Sequence, residues 1–313
     1  MINRLTDNKL VLIKRKTRLE DLIQRFNTVE QARFYIEHLG ADFSDYLNED
    51  RTYRSAVSEA VRQMEYLGKV QVVDREHLPN FLFGPDDIVI ALGQDGLVAN
   101  TLKYLSSQPL VGVNPDPARW DGILLPFQVG DLTLIITEVF HKKRRYKNVT
   151  LAKTTLNDGQ TMYAVNDFFI GQKTHVSARY WIEASGKSEQ QSSSGIIVST
   201  GLGSTGWYKS VITGAATISG QLGGGKAAPA AAKRLAWDVD SLYYFVREPF
   251  ISKITSAGLV FGQVRAESPL KIKSLMPENG VIFSDGIESD YLQFNSGMEA
   301  TVTLAEKKGR LVV

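Results

Sequence analysis

The chain has 313 residues, 43% of them hydrophobic, a formal net charge of +2 and no cysteine. This length allows two domains or one large one with a full core. The near-neutral charge argues against a nucleic-acid partner. The lack of cysteine excludes disulfides, thiolate metal sites and a cysteine nucleophile. No stretch approaches the ~20 apolar residues of a membrane span, and no signal-peptide core is present, so we expect a cytoplasmic protein without a membrane partner.

The first half of the chain alternates apolar runs with helical patterns. Residues 10–13, 70–73, 88–92 and 110–113 predict strands, and segment 19–66 predicts helices. The continuous apolar run at 88–92 is typical of a parallel strand covered on both faces. Segment 86–114 therefore predicts a strand–loop–helix–strand unit, in which ligands bind beyond the carboxyl ends of the strands. We expect an α/β domain over residues 1–147.

From residue 148 onward, short β-rich runs separated by turn residues predict an all-β region, with one helix after Thr205. We expect a β-sandwich domain over residues 148–313. Segment 256–264 is predicted as a strand, and 306–313 as a closing hairpin strand. Residues 220–232 are low in complexity and predict a mobile loop. The four histidines lack metal-ligand spacing, so no protein-held metal is predicted.

Two glycine-bearing loops, at 93–96 and 200–206, follow apolar runs about a hundred residues apart. Each loop offers backbone that can approach a polar ligand closely. Asp95 has no cation beside it in sequence, which suits a group that takes a proton next to bound phosphates. The competing interpretation is a surface Asp-Gly turn.

Five ordered segments resemble those of the NAD kinase family. They are Leu92-Gly-Gln-Asp-Gly96 (a GGDG loop), Gly112-Val-Asn-Pro-Asp-Pro117 (GVNTDP), Val165-Asn-Asp-Phe-Phe-Ile-Gly171 (the Asn-Glu strand), Ser194 to Trp207 (STPTGSTAY) and Phe283-Ser-Asp-Gly286 (a late DG turn). Lys16-Thr-Arg18, Ser193-Ser-Gly195 and Arg247-Glu-Pro249 are similar to the mitochondrial-type branch. The resemblance spans about residues 9 to 290.

The resemblance implies a Rossmann-like α/β nucleotide-binding domain and an NAD-binding β-sandwich domain. It implies phosphoryl transfer from ATP, or from polyphosphate, to the adenosine 2′-hydroxyl of NAD, giving NADP, with Mg²⁺ held largely by phosphates and water. It also implies a homodimer with β-domain surfaces at its interface. The alternatives are a catalytically weak or inactive dinucleotide-binding protein, or a lipid or sugar kinase of the same superfamily.

Candidate site residues follow from these loops. Asp95 is the candidate general base, because a carboxylate can accept the proton of an attacking hydroxyl. Gly93 and Gly96 would admit phosphate oxygens at a helix N-terminus. The remaining candidates would bind nucleotide: Asn166 and Asp167 the ribose, Thr205 and Ser210 the NAD, and Lys16 and Arg18 the triphosphate. Their structural alternatives are an Asx turn, helix capping and a solvated charged face.

Departures from the family pattern concern the first loop above all. Gln94 replaces the second glycine of GGDG, Leu97 stands where threonine is usual, and Asp167 is one methylene shorter than the family's glutamate. Ile287 occupies a position that is polar in several relatives. If the backbone at Gln94 needed a left-handed angle, strain would cost on the order of 1 kcal/mol. We expect Gln94 to obstruct the donor site and reduce activity.

Overall fold

The computed structural model describes residues 5–222 and 234–313. The chain divides into two compact units: the described residues up to Lys147 together with Arg310–Val313, and residues Asn148–Gly309. The first unit combines helices with parallel strands, and the second is built mainly from antiparallel strands. The predicted fold class, an α/β domain followed by a β-sandwich, is therefore confirmed.

The elements of the first unit alternate between strand and helix. They are β1 (Lys9–Lys14), α1 (Arg18–Phe26), α2 (Val29–His38), α3 (Ser44–Glu65), β2 (Lys69–Asp74), β3 (Ile88–Leu92), α4 (Asp95–Leu102), β4 (Pro109–Asn114), β5 (Phe127–Gln128) and α5 (Leu132–Phe140). The parallel sheet has the order β2-β1-β3-β4, and β5 pairs with β4. Near the C-terminus, Arg310 and Leu311 pair in parallel with Pro109 and Leu110.

Burial explains this sheet. All five residues of β3 are buried, as expected for a strand with helices on both faces. Tyr53 and Met64 of α3 belong to the same buried cluster as alternate residues of β1 and β3. Helix α1 begins at a capping box, in which Thr17 and Glu20 satisfy each other's backbone N–H groups. The parallel pairing places the residues that follow β1, β3 and β4 at one edge of the sheet.

The second unit carries one helix among its described strands. Its elements are β6 (Tyr146–Leu156), β7 (Thr161–Ala164), β8 (Asp167–Gln172), β9 (Ala178–Ala184), β10 (Lys187–Ser193), β11 (Ile196–Ser199), α6 (Trp207–Leu222), β12 (Leu242–Val246), β13 (Phe261–Val264), β14 (Leu270–Ser274), β15 (Gly280–Ser284), β16 (Tyr291–Gln293) and β17 (Glu299–Val312). One antiparallel sheet has the order β13-β12-β11-β8-β15-β16, and β10, β9, β14 and β17 pair antiparallel in the other.

The two sheets of this unit share one core. Phe168 and Ile170 of β8 belong to the same buried cluster as Tyr180 and Ile182 of β9. Buried and exposed residues alternate along β9, where Ala178, Tyr180, Ile182 and Ala184 are buried, as expected for a sandwich strand.

Three predictions for this half need comment. Only Phe261–Val264 of segment 256–264 is a strand, because Glu189 accepts the N–H groups of Gly258 and Leu259 and holds that stretch as a loop. The C-terminal segment is not a hairpin strand, since β17 runs unbroken from Glu299 to Val312. The loop predicted at 220–232 lies mostly outside the described residues, and 220–222 end helix α6.

Candidate functional site

The Gly93–Gly96 loop leaves the sheet at the carboxyl end of β3. The N–H of Gly93 donates to the carbonyl of Val113 at 3.1 Å, so the loop starts as a continuation of the parallel pairing. Gln94 is the N-cap residue of α4, and its carbonyl accepts from Leu97 N at 2.8 Å. Leu97, a departure from the family pattern, is 2% exposed and packs into the core. The loop therefore ends directly on a helix N-terminus, where backbone N–H groups favour an anion.

Asp95 holds a turn that follows β4. Its Oδ1 accepts from Leu124 N at 2.8 Å, and its Oδ2 from Ile123 N at 3.3 Å. Gly112 lets this turn lie against β4, because a Cβ there would be 2.0 Å from the Leu124 carbonyl oxygen. A carboxylate has about four lone-pair positions, so two backbone bonds leave room for a hydroxyl proton. Asp95 therefore holds this turn, and its carboxylate keeps acceptor capacity beyond these two bonds.

Asn114, at the end of β4, shapes the same turn. Its side-chain amide donates to the Trp120 carbonyl at 2.9 Å, and its carbonyl oxygen accepts from Asp116 N at 3.0 Å. The Gly112–Pro117 segment of the family resemblance thus positions the donors that meet Asp95.

The two loop glycines differ in their surroundings. Neither has a positive φ. A Cβ on Gly93 would come within 2.9 Å of Leu97 Cδ2, whereas Gly96 is exposed with open space around it. The space at Gly96 fits a group that approaches the helix N-terminus.

Gln94 is not strained. Its φ is −113° and its ψ is 164°, which is extended backbone that any residue adopts. The condition for strain at Gln94, a left-handed backbone angle, is therefore not met, because the residue precedes the helix as an ordinary N-cap. Its side chain is half-buried.

The basic residues after β1 are held by carboxylates. Lys16 is bound to Glu76 at 3.1 Å, and the ion pair with its hydrogen bond raises the lysine pKa. Arg18 pairs with Asp45 at 2.7 Å and with the buried Glu49. Both predicted triphosphate contacts thus already carry a counter-charge in the described structure.

Arg15, the residue directly after β1, is next to the loop. Its Cδ lies 3.8 Å from where a Gly93 Cβ would stand. Its backbone N–H donates to the Tyr53 hydroxyl, which donates to the Leu92 carbonyl at 2.8 Å. Its guanidinium pairs with Glu49 at 2.8 Å and is 12% exposed. In the sequence, Arg15 directly follows β1. Because β1 and β3 pair in parallel, the residue after β1 lies beside the loop after β3.

The second unit contains a cavity of about 380 Å³ in which three predicted residues meet. It is lined by Asn166, Asp167, Gly203, Thr205, Gly206, Trp207, Asp285 and Gly286. Ser210 lies one turn further along α6, exposed, with its hydroxyl on the Gly206 carbonyl at 3.3 Å. The structure therefore brings Asn166, Asp167 and Thr205 together and leaves Ser210 outside this cavity's lining.

The glycine-rich loop after β11 is packed against the start of β8. Thr200 donates its hydroxyl to the Val165 carbonyl at 2.5 Å and its N–H to the Asn166 carbonyl at 2.9 Å. A Cβ on Gly203 would lie 2.2 Å from the Asn166 carbonyl oxygen. Gly203 is therefore required by close backbone contact. The Ser204 Oγ of the same loop accepts from Leu235 N at 3.1 Å.

Asp285, in the late DG turn, also lines this cavity, although it was not among the predicted site residues. Its carboxylate accepts from Val165 N at 3.0 Å and from Asn166 N at 2.6 Å. Its own N–H donates to the Asp167 carbonyl at 3.0 Å. Asp285 has a φ of +55° and Gly286 one of +71°, which turn the chain sharply after β15. The sequence signal for Asp285 is an Asp-Gly pair that directly follows an apolar strand.

The two carboxyl groups of this cavity act on each other. Burial, and secondarily the charge of Asp285, raises the pKa of Asp167 to about 7. Asp167, which was predicted as a ribose-binding carboxylate, is therefore partly protonated at neutral pH.

Trp207 also lines a second cavity, of about 460 Å³. Phe169 and Phe283 stack there with ring centroids 5.0 Å apart, and Lys173 and Arg247 supply positive charge. Glu248 and Glu288 line the cavity as well, so its charge is mixed, and its stacked rings offer a surface to a flat ring.

The described residues include no group of three or more acidic or histidine side chains placed to hold a metal. No helix within the described ranges is long and apolar enough to cross a membrane.

The fold matches those of solved NAD and NADH kinases. An NAD kinase from Archaeoglobus fulgidus, in complex with ATP, superposes with a TM-score of 0.58 at 16% identity, over 97% of this chain and 93% of that one. A yeast NADH kinase complexed with NADH gives a TM-score of 0.57 at 16% identity, over 98% and 84%. The chain therefore has the fold of the NAD kinase family. No family sequence model matches it. No curated protein matches it in sequence either.

Proposed function

We propose that this protein transfers the terminal phosphoryl group of ATP to the adenosine 2′-hydroxyl of NAD, giving NADP. The observation that carries the proposal is the cavity formed by Asn166, Asp167 and Thr205 in a chain with the NAD kinase fold. An amide beside carboxyl groups can both donate to and accept from vicinal ribose hydroxyls.

In this reaction Asp95 accepts the proton of the attacking hydroxyl. The new bond joins the ribose oxygen to the γ-phosphorus, and the bond to the β–γ bridging oxygen breaks, releasing ADP. The open space at Gly96 and the N-terminus of α4 support a phosphate position beside Asp95. Arg15, closest to Gly93, is a third candidate cation beside Lys16 and Arg18.

Magnesium enters with the nucleotide. Asp95 already accepts two backbone N–H bonds, which fits a cation held mainly by phosphate oxygens and water rather than by protein ligands. The ion would neutralise charge on the transferring phosphoryl group. Polyphosphate is the alternative donor, and a cytoplasmic homodimer is the assembly we propose.

The test is an enzyme-coupled assay for NADP with purified protein, ATP and Mg²⁺. NADP formation that requires all three components supports the proposal. In parallel, Asn166→Ala should weaken NAD binding by roughly 1–3 kcal/mol in calorimetry, because a ribose hydroxyl loses its buried partner. ATP binding should change less. Unchanged NAD affinity in that variant would remove Asn166 from the site.

The second candidate is a dinucleotide-binding protein without turnover. The observation in its favour is the side chain of Gln94 at the entrance to the Asp95 loop, where the family has glycine. Thermal stabilisation by NAD, with no NADP formed from ATP or polyphosphate, would select this candidate.

A further inference from the structure

Two arginines converge on the carboxylate of Asp45, in the first turn of α3. Arg119 donates from Nη2 to Asp45 Oδ1 at 2.6 Å and from Nη1 to Oδ2 at 3.2 Å. Arg18 donates from Nη2 to the same Oδ2 at 2.7 Å. Paired guanidinium donors of this kind bind a carboxylate or a phosphate equally well in geometric terms. Arg18 and Arg119 are called the arginine pair below.

The arginine pair comes from the segments that surround the candidate phosphate loop. Arg18 begins α1, shortly after Arg15, whose Cδ lies beside Gly93. Arg119 lies in the connection after β4, which also supplies the backbone donors of Asp95. Because β1, β3 and β4 pair in parallel, the residues that follow them share one edge of the sheet. The arginine pair is therefore at the same edge as that loop.

Two carboxylates of α3, one helical turn apart, contact this pair in different ways. Glu49 is buried and accepts from Arg18, whereas the Asp45 side chain is 44% exposed. If Asp45 is replaced as a partner, Arg18 keeps Glu49, and Arg119 keeps Asp116, whose Oδ2 lies 3.5 Å from the arginine Nε. Neither arginine then loses its last carboxylate. Asp45 is thus the exchangeable partner of the pair.

Asp45 is also a weaker anion than a phosphate group. Hydrogen bonds from Arg119 and then from Arg18 hold the pKa of Asp45 well below its usual range, so it remains ionised at neutral pH. Solvent screens these exposed ion pairs, which limits their contribution. A phosphate group carries more charge and has three oxygens that can accept from both arginines. A phosphate that reaches the pair can therefore displace Asp45.

We propose that the arginine pair binds a phosphate group of a phosphate chain, and that Asp45 occupies the pair in the absence of such a ligand. Arg119 thereby becomes a specificity-determining residue for the phosphate donor. A nucleoside triphosphate and inorganic polyphosphate share the chemistry that the pair recognises. The choice between these two donors rests on the proposed function, whereas the anion site does not.

The test is calorimetry with inorganic tripolyphosphate at low ionic strength and without Mg²⁺. Asp45→Asn should lower the Kd by roughly two- to fivefold, the weight of an exposed ion pair, because the internal competitor loses its charge. Arg119→Gln should raise the Kd by roughly tenfold or more, as expected for the loss of a charge-assisted contact. In the double variant the effect of Asp45→Asn should shrink, because Arg119 makes two of the three hydrogen bonds to Asp45.

Asp42→Asn is the matched control, because Asp42 is an exposed carboxylate just before α3 that accepts from Ser44 instead of an arginine. This variant also removes one negative charge and should leave the Kd nearly unchanged. An equal gain in Asp42→Asn and Asp45→Asn would overturn the proposal, because it would show a general effect of charge.

Arg119→Lys keeps the positive charge and loses the paired donors, so its Kd should fall between those of Arg119→Gln and the wild type. Thermal unfolding without ligand checks that each variant is folded, and Arg119→Lys carries the test if Arg119→Gln does not fold. An unchanged Kd in folded Asp45→Asn, or in the folded Arg119 variants, would overturn the proposal.

The coupled NADP assay separates the two donors. If a nucleoside triphosphate occupies the arginine pair, Arg119→Gln raises KM for ATP with little change in KM for NAD. If polyphosphate occupies it, KM rises for polyphosphate alone. Unchanged KM for both donors would overturn the assignment of the pair to the donor. Tripolyphosphate binding that responds as expected in a protein without NADP formation would support the anion site and overturn the proposed function.

Discussion

Asp95 and Asp167 are both acidic residues beside glycine-bearing loops, yet their surroundings are opposite. Asp95 receives two backbone N–H donors from the turn at Ile123 and Leu124. Asp167 is half-buried beside another carboxylate, Asp285, which accepts the backbone N–H groups of Val165 and Asn166. The comparison shows that the burial and the neighbours of a carboxyl group are decided by the fold and not by its sequence motif.

The glycines of the two loops differ in the same way. Gly203 is closed in by the Asn166 carbonyl, whereas Gly96 has open space around it. One glycine therefore serves backbone packing, and the other leaves room for a ligand.

The largest expected effect is that of Asp95→Asn, which removes the proton acceptor and keeps the shape. The turnover rate should fall by roughly 10²- to 10⁴-fold, with little change in NAD affinity. Steady-state kinetics in the coupled assay would measure it. The matched control is Asp131→Asn, because Asp131 also accepts a backbone N–H, that of Gln128, in the same unit. A near wild-type rate for Asp95→Asn would remove Asp95 as the base.

Gly203→Ala should destabilise the β-sandwich domain. The new Cβ would stand 2.2 Å from the Asn166 carbonyl oxygen, so the loop or β8 must shift. We expect a loss of about 1–3 kcal/mol in unfolding free energy, the usual cost of overpacking. Denaturant unfolding would show it, with Gly214→Ala on α6, where nothing lies within 4 Å, as the control. Equal stability of both variants would contradict the packing role.

Asp167→Asn should stabilise the protein in a pH-dependent way. The folded pKa is raised from 3.8 to about 7, so folding becomes less favourable as pH rises between these values, where the unfolded state has already lost its proton. The advantage of the asparagine variant should grow from about pH 4 to 7 and then level off, at roughly 1–3 kcal/mol given partial solvent screening. Thermal unfolding at pH 4.5 and pH 8 would measure it, and a larger advantage at pH 4.5 would refute the assignment.

Gln94→Gly should have the smallest effect on the fold, because Gln94 has unstrained extended backbone. Stability should fall by no more than about 1 kcal/mol, the entropic cost of glycine. If the glutamine side chain obstructs the donor, kcat/KM for ATP rises while NAD affinity stays nearly constant. Lower activity would identify the amide as a working phosphate ligand. Gln94→Ala separates loss of the side chain from gain of backbone freedom.

Much of the fold follows from the sequence alone. The uninterrupted apolar run of β3 predicts a buried parallel strand, and the alternation in β9 predicts a sandwich face, because burial on two faces or on one fixes the period of hydrophobic residues. The sequence also placed Asn166, Asp167 and Thr205 at the ends of apolar runs, and the structure brings these three residues to one cavity.

The tertiary structure decided what those residues experience. Residues 95 and 124, or 167 and 285, are far apart in sequence, and only folding determines which backbone N–H meets which carboxylate. Tertiary contacts also decide that Lys16 and Arg18 are paired with carboxylates and that Arg15 lies beside Gly93. The unstrained backbone angle of Gln94 is likewise a property of the folded chain. Local sequence sets hydrophobic period and turn chemistry, whereas hydrogen-bond partners and desolvation are properties of the assembled chain.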